Sequence, residues 1–275
     1  MGGSVDRAGR GDPPTVLLTG ASSGIGAATA SYLATHGFRV FGASRRPPAE
    51  ASPFTWLTID VRDEASVAAA VARILETAGR IDALVCNAGI GIFGSIEEVS
   101  TARAREQFET NVFGTLHPVR AVLPAMRARG AGRIVLVGSL AARAPIPFQG
   151  HYSASKAAVA ALAWALRVET EPYGVWVSLV EPGDIRTGFN DATDWGGAAP
   201  SVYGERPQRC EEVIRQSLLD APGPELVARA VHRALTARRP RLRYAVGPSS
   251  WLVPFVRRLM PDAVGLRLLR RHFKV

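Results

Sequence analysis

Residues 15–26 read T-V-L-L-T-G-A-S-S-G-I-G. The run T-V-L-L over 15–18 is β-branched and apolar, is ended by T-G, and reads as a buried strand. From Ile25 the chain becomes Ala-rich, and the pattern predicts a helix over 25–37 stopped by Gly37. The loop between them, residues 19–26, carries Gly20, Gly24 and Gly26. Glycines there let the backbone approach a pyrophosphate, while the helix start supplies amide donors and the positive end of its dipole. The spacing differs from the common G-x-G-x-x-G, so the loop's weight comes from its place after the first strand of an alternating pattern.

That pattern runs on. Further strands are predicted at 38–43, 55–59, 81–86, 133–138, 176–181 and 241–246, and helices at 67–77, 101–129, 152–173 and 226–236. Pro118 and Pro124 are expected to bend or break the long helix. Strands alternating with helices imply a parallel sheet covered on both faces. The expected fold class is therefore α/β: a single doubly wound Rossmann-type domain with a parallel sheet of about seven strands, plus a C-terminal helical tail. Residues 1–13, rich in Gly, Pro and charge, read as a disordered leader, 14–249 as the catalytic domain, and 250–275 as a basic amphipathic extension. Within the domain, 188–209 is long for a connection and reads as a lid or loop over a substrate.

The composition, 47% hydrophobic and 21% charged over 275 residues, is that of an ordinary globular chain. Two distant cysteines, Cys86 and Cys210, offer neither a disulfide framework nor a metal spacing, which fits a reducing cytoplasm. No metal is expected. No apolar run is long enough to span a membrane, and the first residues lack the hydrophobic centre of a signal peptide. The net charge of +9 is concentrated: residues 238–275 hold ten Lys or Arg against one acid, Asp262, so the rest of the chain is balanced. A nucleic-acid binder would spread that charge over its folded face, so no nucleic-acid partner is expected. The tail's mixture of arginines and apolar residues allows an interfacial helix on an anionic membrane. The expectation favours a helix packed on its own domain or on a partner subunit.

Tyr152 and Lys156 stand four residues apart in H-Y-S-A-S-K, on one face of a helix. A free phenol titrates near ~10, and a neighbouring ammonium lowers that value, giving a group able to act as a general acid or base. With its companions, this pair makes the chain resemble the short-chain dehydrogenase/reductase family over about residues 15–187. Residues 19–26 match T-G-x-x-x-G-x-G, and Asn87, Ala88 and Gly89 match the family's N-A-G. Asn111, in N-V-F-G, sits where the family has its catalytic Asn. Ser139 precedes Tyr152 by thirteen residues, Tyr152 and Lys156 match Y-x-x-x-K, and Pro182, Gly183 and Thr187 match P-G-x-x-x-T.

The resemblance implies four catalytic residues. Tyr152 exchanges the proton, Ser139 polarises the carbonyl oxygen, Lys156 lowers the Tyr152 pKa and holds the ribose, and Asn111 fixes a water leading to Lys156. It also implies a cofactor set of Gly20, Ser22, Ser23, Gly24, Ile25 and Gly26 in the first loop, Ser44, Arg45 and Arg46 after the second strand, and Asp60 and Val61 beside the adenine. Asn87, Ala88 and Gly89, then Tyr152 and Lys156, then Pro182, Gly183, Ile185 and Thr187 complete it. The second strand ends F-G-A-S-R-R-P with no acid to bind a ribose 2′-hydroxyl. The hydroxyl and guanidinium groups there suit a 2′-phosphate, so NADP(H) is the expected cofactor, although the first loop carries Ser23 where many NADP-using relatives carry a basic residue.

The expected activity is NADPH-dependent reduction of a carbonyl, or the reverse oxidation of a secondary alcohol. The order of segments is similar to steroid- and retinol-type members and to bacterial members acting on polyketide-like carbonyls. A hydrophobic, cyclic substrate is therefore expected, with Phe189, Trp195, Tyr203 and the W-L-V-P-F-V run at 251–256 as candidate pocket walls. A homodimer or homotetramer through the two long helices is implied. Two alternatives stay open: a non-redox epimerase or dehydratase, and a non-catalytic NADP-binding regulator.

Overall fold

The computed structural model describes residues 12–47, 52–189, 193–195, 201–248, 250 and 260–275. The first strand, β1 (Thr15–Thr19), is buried at every position. It is joined by β2 (Arg39–Ser44), β3 (Thr55–Thr58), β4 (Ala83–Cys86), β5 (Gly132–Val137), β6 (Val175–Pro182) and β7 (Arg243–Val246). All pair in parallel in the order β3-β2-β1-β4-β5-β6-β7. Period-2 alternation sends neighbouring residues to opposite faces. Leu17, Leu84, Ile134 and Val177 pack against α2 (Glu64–Ala78), α4 (Gly114–Arg129) and α5 (Gly150–Thr170). Val16, Leu18, Val85 and Val180 pack against α1 (Gly24–Thr35) and α7 (Glu225–Thr236). The doubly wound α/β fold with seven parallel strands is the one the sequence implies.

The strand order reverses between β1 and β4, and a crevice opens there beyond the carboxyl ends of the strands. Two glycines make it possible. Gly20 has φ +72, and a Cβ on it would lie 2.8 Å from the Ala88 Cα. A Cβ on Gly26 would lie 1.9 Å from the Gly20 carbonyl oxygen. The first turn of α1 is thereby pressed onto the end of β1.

Two expectations are corrected. The long helix is α3 (Thr101–Phe108), a π-helical turn (Glu109–Phe113) and α4 in succession, and Pro118 and Pro124 sit inside α4 without breaking it. The buried Val119, Val122 and Met126 hold that helix to the sheet through both prolines. The departure from α geometry falls at the π turn, which places Asn111 at its centre; such turns concentrate at functional sites. Second, the span read as a lid loop to residue 209 gives way at α6 (Arg206–Leu219), whose Cys210, Val213, Ile214 and Leu218 recur at helical spacing on its packed face. Residues 190–192 and 196–200 of that span lie outside the described residues, as do residues 1–11 of the leader.

The tail ends in a helix packed on its own domain, the arrangement that the sequence reading favoured. A helix, α8 (Asp262–Phe273), packs on α6 with Phe273 buried beside Phe93, Cys210 and Ile214, and its arginines face water. The W-L-V-P-F-V run lies outside the described residues. No helix among the described residues is long and apolar enough to cross a membrane.

Because the Gly26 contact leaves no room for a methyl group, Gly26→Ala is expected to cost at least about 2 kcal/mol of stability through overpacking. Urea denaturation checks this: the midpoint should fall with an unchanged m value.

Candidate active site

Backbone builds the first wall of the crevice. The Thr19 hydroxyl accepts hydrogen bonds from the amides of Asn87 (3.2 Å) and Ala88 (3.3 Å), and Asn87 Nδ2 donates to the Gly20 carbonyl at 3.1 Å. The N-A-G segment is thus stitched to the glycine loop across β1 and β4. Ser23 begins α1 but makes no side-chain cap, so the first-turn amides of this helix have no intrahelical partner. Ser22, Ser23, Gly24 and Ile25 line a cleft of about 320 Å³ shared with Asn87, Gly89, Ser139, Tyr152, Lys156 and the 182–189 segment. Thr187 closes over Gly24, 3.3 Å from where a Cβ would stand.

The catalytic wall comes from α5 and the loop after β5. Ser139, N-capping the short 3-10 turn Leu140–Ala142, accepts from the Ala141 amide and hydrogen-bonds Tyr152. Lys156 is 5% exposed, donates to the Val137 carbonyl at 3.1 Å, and places Nζ 5.8 Å from the centre of the Tyr152 ring. The expected lowering of the phenol is overturned. Burial pushes Tyr152 up to about 12, against the smaller pull of the Ser139 hydrogen bond. Burial likewise pushes Lys156 down to about 8. Lys156 is buried and Tyr152 half-buried, and desolvation is the leading cause of both shifts.

Asn111, 1% exposed, gives both amide protons to protein, to the Ile90 carbonyl (3.1 Å) and Ser155 Oγ (3.0 Å), and its Oδ1 accepts from the Ile90 amide at 2.9 Å. It therefore ties α5 to the segment after β4. Oδ1 and Lys156 Nζ stand on the same side of Gly89, 3.2 and 3.6 Å from its absent Cβ.

Behind Pro182 and Gly183 lies a charge cluster that the sequence did not reveal. Glu181, fully buried, takes both ends of the Arg143 guanidinium (2.9 and 2.7 Å) and Arg243 Nη1 at 2.7 Å. Arg143 lies four residues beyond Ser139, so this clamp joins the Ser139 loop to the P-G turn and to β7.

Of the residues expected at the adenosine end, Ser44 and Arg45 line the cleft. Ser44 Oγ donates to the Arg46 carbonyl. Asp60 is held by Arg62, whose hydrogen bonds keep its carboxyl below the usual range, and Arg45 adds to that effect. Val61 is buried against Gly114. Arg46, Asp60 and Val61 are not among the residues lining the cleft.

At the substrate end, Phe189 lines the cleft with its ring 5.9 Å from that of Tyr152. Trp195 and Tyr203 do not. Trp195 packs on Phe93 and lines a second, larger cavity of about 480 Å³ that holds none of the motif residues. Tyr203 turns its hydroxyl to Glu97 and its ring edge to Phe148. The lining residues that were missed include Asp184, Ile146, Gln149, Ile214 and Leu218. The last two were findable from the helical spacing over 206–219. Among the described residues no cluster of His, Cys, Asp or Glu could hold a metal ion.

The uncapped start of α1, a glycine backbone and a Tyr–Lys pair in one crevice define a nucleotide-dependent oxidoreductase site. The model of the short chain dehydrogenase family matches residues 14–195, and the chain belongs to that family.

Among curated relatives, a 3-ketodihydrosphingosine reductase of Bacteroides thetaiotaomicron is 36% identical over 86% of this chain and 88% of its own length. The human 17-beta-hydroxysteroid dehydrogenase type 1 is 34% identical over 91% and 82%. An NADPH-dependent 3-dehydrocapnine reductase of Ornithobacterium rhinotracheale is 32% identical over 94% and 96%.

Among solved structures, a short-chain dehydrogenase from Streptomyces avermitilis superposes with a TM-score of 0.80 at 32% identity, covering 93% of this chain and 94% of that one. One from Burkholderia phymatum in complex with NAD gives 0.78 at 26%, covering 93% and 95%, and one from Burkholderia cenocepacia in complex with NADP gives 0.75 at 26%, covering 94% and 98%. The protein is thus an oxidoreductase whose cleft suits a nicotinamide dinucleotide.

The buried Lys156 makes stability depend on pH. Its folded pKa of about 8 lies below its ordinary 10.5, so its burial costs stability fully below pH 8. That cost is relieved as pH rises toward 10.5, because the unfolded chain binds the extra proton in this window. Relative to Lys156→Met, the wild type should gain stability from pH 8 to 10.5, as denaturant titrations at a series of pH values would show. A flat difference would refute the burial effect.

Proposed function

We propose that the protein is an NADPH-dependent reductase of apolar ketones, with Tyr152 as the proton donor. The observation that carries the reading is the convergence of Ser139, Tyr152 and Lys156 on the cleft that the uncapped start of α1 also enters. When bound, the dinucleotide supplies the hydride to the carbonyl carbon. A phenol held up to about 12 stays protonated at neutral pH, which suits an acid that gives its proton to the carbonyl oxygen as charge develops there. Ser139 hydrogen-bonds that same oxygen and polarises it. Lys156, near 8, carries a proton through the neutral range and stands on the same helical face as Tyr152 to hold the ribose and replace the lost proton. The remaining lone pair of Asn111 Oδ1, on the Lys156 side of Gly89, is where a water would pass protons inward.

NADPH is preferred over NADH because Arg45 and Arg46 follow β2 where an acid would bind an NAD ribose. Arg45 lines the cleft, and among the described residues its guanidinium has no hydrogen-bonded partner. A relative named as NADPH-dependent supports the same preference. Ile146, Phe189, Ile214 and Leu218 supply the apolar substrate wall. Relatives named for ketodihydrosphingosine, dehydrocapnine and a hydroxysteroid support a ketone substrate. Trp164 and Val168, exposed on α5, support a homodimer or homotetramer, and the two free, buried cysteines suit a reducing cytoplasm.

Two measurements test the reading. Tyr152→Phe should lower kcat/KM for NADPH consumption with apolar ketones by about a hundred- to ten-thousandfold. Undiminished turnover would end Tyr152's role. Removing both guanidinium groups, in Arg45→Ala with Arg46→Ala, should raise the KM for NADPH at least about tenfold and leave that for NADH nearly unchanged. An equal change for both cofactors would overturn the preference.

A further inference from the structure

The polar side chains of the cleft can be accounted for one by one. Asn87 is spent on the Gly20 carbonyl, Thr110 on the Glu106 carbonyl, and Thr187 on the Phe189 amide. Ser22, Ser23, Ser44 and Arg45 stand on the side of the glycine loop, and Ser139, Tyr152 and Lys156 are given to proton transfer. Gln149 remains. It is 6% exposed and lines the cleft. Its side chain makes no capping bond, and among the described residues its amide has no hydrogen-bonded partner. Its amide is not sealed from solvent and opens on the cleft.

The local fold does not need a glutamine there. Gln149 occupies the N-cap of α5, where Ser, Thr, Asp and Asn serve because their short side chains reach the first-turn amides. The backbone is set from outside the residue. Phe148 adopts φ +59, rare for a non-glycine residue, while its carbonyl accepts from the Gly94 amide at 2.7 Å and its ring lies against Phe93 and Tyr203. Strained backbone of this kind collects where a side chain must be aimed.

Gln149 and Tyr152 are three residues apart at the start of one helix and line the same cleft. Residues so spaced lie about 5–6 Å apart at Cβ. With a carbonyl oxygen at the Tyr152 hydroxyl, a glutamine amide one turn away reaches groups on the carbons next to that carbonyl. The walls around it, Ile146, Phe189, Ile214 and Leu218, are apolar.

Resting on the ketone-reductase reading above, we infer that Gln149 is a specificity residue that hydrogen-bonds a hydroxyl or amino group on a carbon adjacent to the reacting carbonyl of an otherwise apolar substrate. The amide offers donors and an acceptor, so it serves either group. An apolar ketone without such a group leaves the amide buried and unsatisfied, and that is the source of discrimination.

The test measures binding and so stands apart from turnover. In the Tyr152→Phe protein with NADPH present, Kd values are measured by tryptophan fluorescence for an unsubstituted dialkyl ketone, its alpha-hydroxy analogue and its alpha-amino analogue. At least one substituted ketone is expected to bind about tenfold more tightly than the parent. Gln149→Leu in the same background should bring that ratio to about one; Gln149→Met, unbranched and closer in length, replaces it should the leucine variant fail to fold. Equal Kd values for the three ketones, or a ratio that survives both substitutions, would overturn the inference. Failure of the reductase reading shows separately, as absence of NADPH consumption by the wild type with ketones that it binds.

Discussion

The contact between the first turn of α1 and the end of β1 is the constraint from which the site is built. With Gly26 against the Gly20 carbonyl, and Gly20 in turn against Ala88, neither position has space for a side chain. What results is a crevice whose floor is backbone. The amides at the start of α1 are left to whatever enters it, and the Thr19 hydroxyl fixes the N-A-G segment in register with the loop. A ligand rich in phosphate is suited to such a floor, since oriented amides and a helix dipole bind anions without a buried cation. This explains why the glycine pattern could be read from sequence: the requirement is steric, and only one residue type meets it.

The catalytic pair shows the opposite case. Spacing alone puts Tyr152 and Lys156 on one helical face, and two groups so placed in water would stabilise each other's charged forms. In the fold, α5 packs against the sheet, Lys156 is buried and Tyr152 half-buried, which penalises phenolate and ammonium alike. Which effect wins depends on burial, and burial is set by β5, β6 and the π turn, none of which is near the pair in sequence. The protonation preferences of the pair therefore follow from desolvation and not from the motif.

The same division holds across the molecule. All seven strands were legible with bounds shifted by one or two residues; β1, β4, β5 and β6 are nearly continuous buried runs, while the edge strands β3 and β7 are only partly buried. The α6 helix was passed over because polar residues and a proline dominate its first turn, although Pro207 near a helix start is itself a start signal. Pro118 and Pro124 misled in the other direction, since tertiary packing outweighed a local preference. Glu181 and its arginines are 38 and 62 residues apart, and no periodicity links them. Gln149 looked ordinary because its significance lies in a missing partner, a property that only coordinates display.

The Glu181 cluster shows how such long-range pairing serves the site. A fully buried carboxylate is costly unless its lone pairs are met, and here a two-toothed bond to Arg143 and a third bond to Arg243 meet them. An apolar replacement of equal volume would fill the space but would not fix direction. Three directed bonds hold the Ser139 loop, the P-G turn and β7 at set distances, and Arg243 also lies 5.6 Å from the ring centre of Trp164 on the helix that bears Tyr152. The hydroxyl, the phenol and the segment that closes over the cleft are thus tied to one charge. On the proposed reading Ser139 and Tyr152 meet the same oxygen atom, and displacements near 1 Å carry large catalytic penalties. A rigid ionic tie behind the cleft, rather than more apolar packing, is what that tolerance demands.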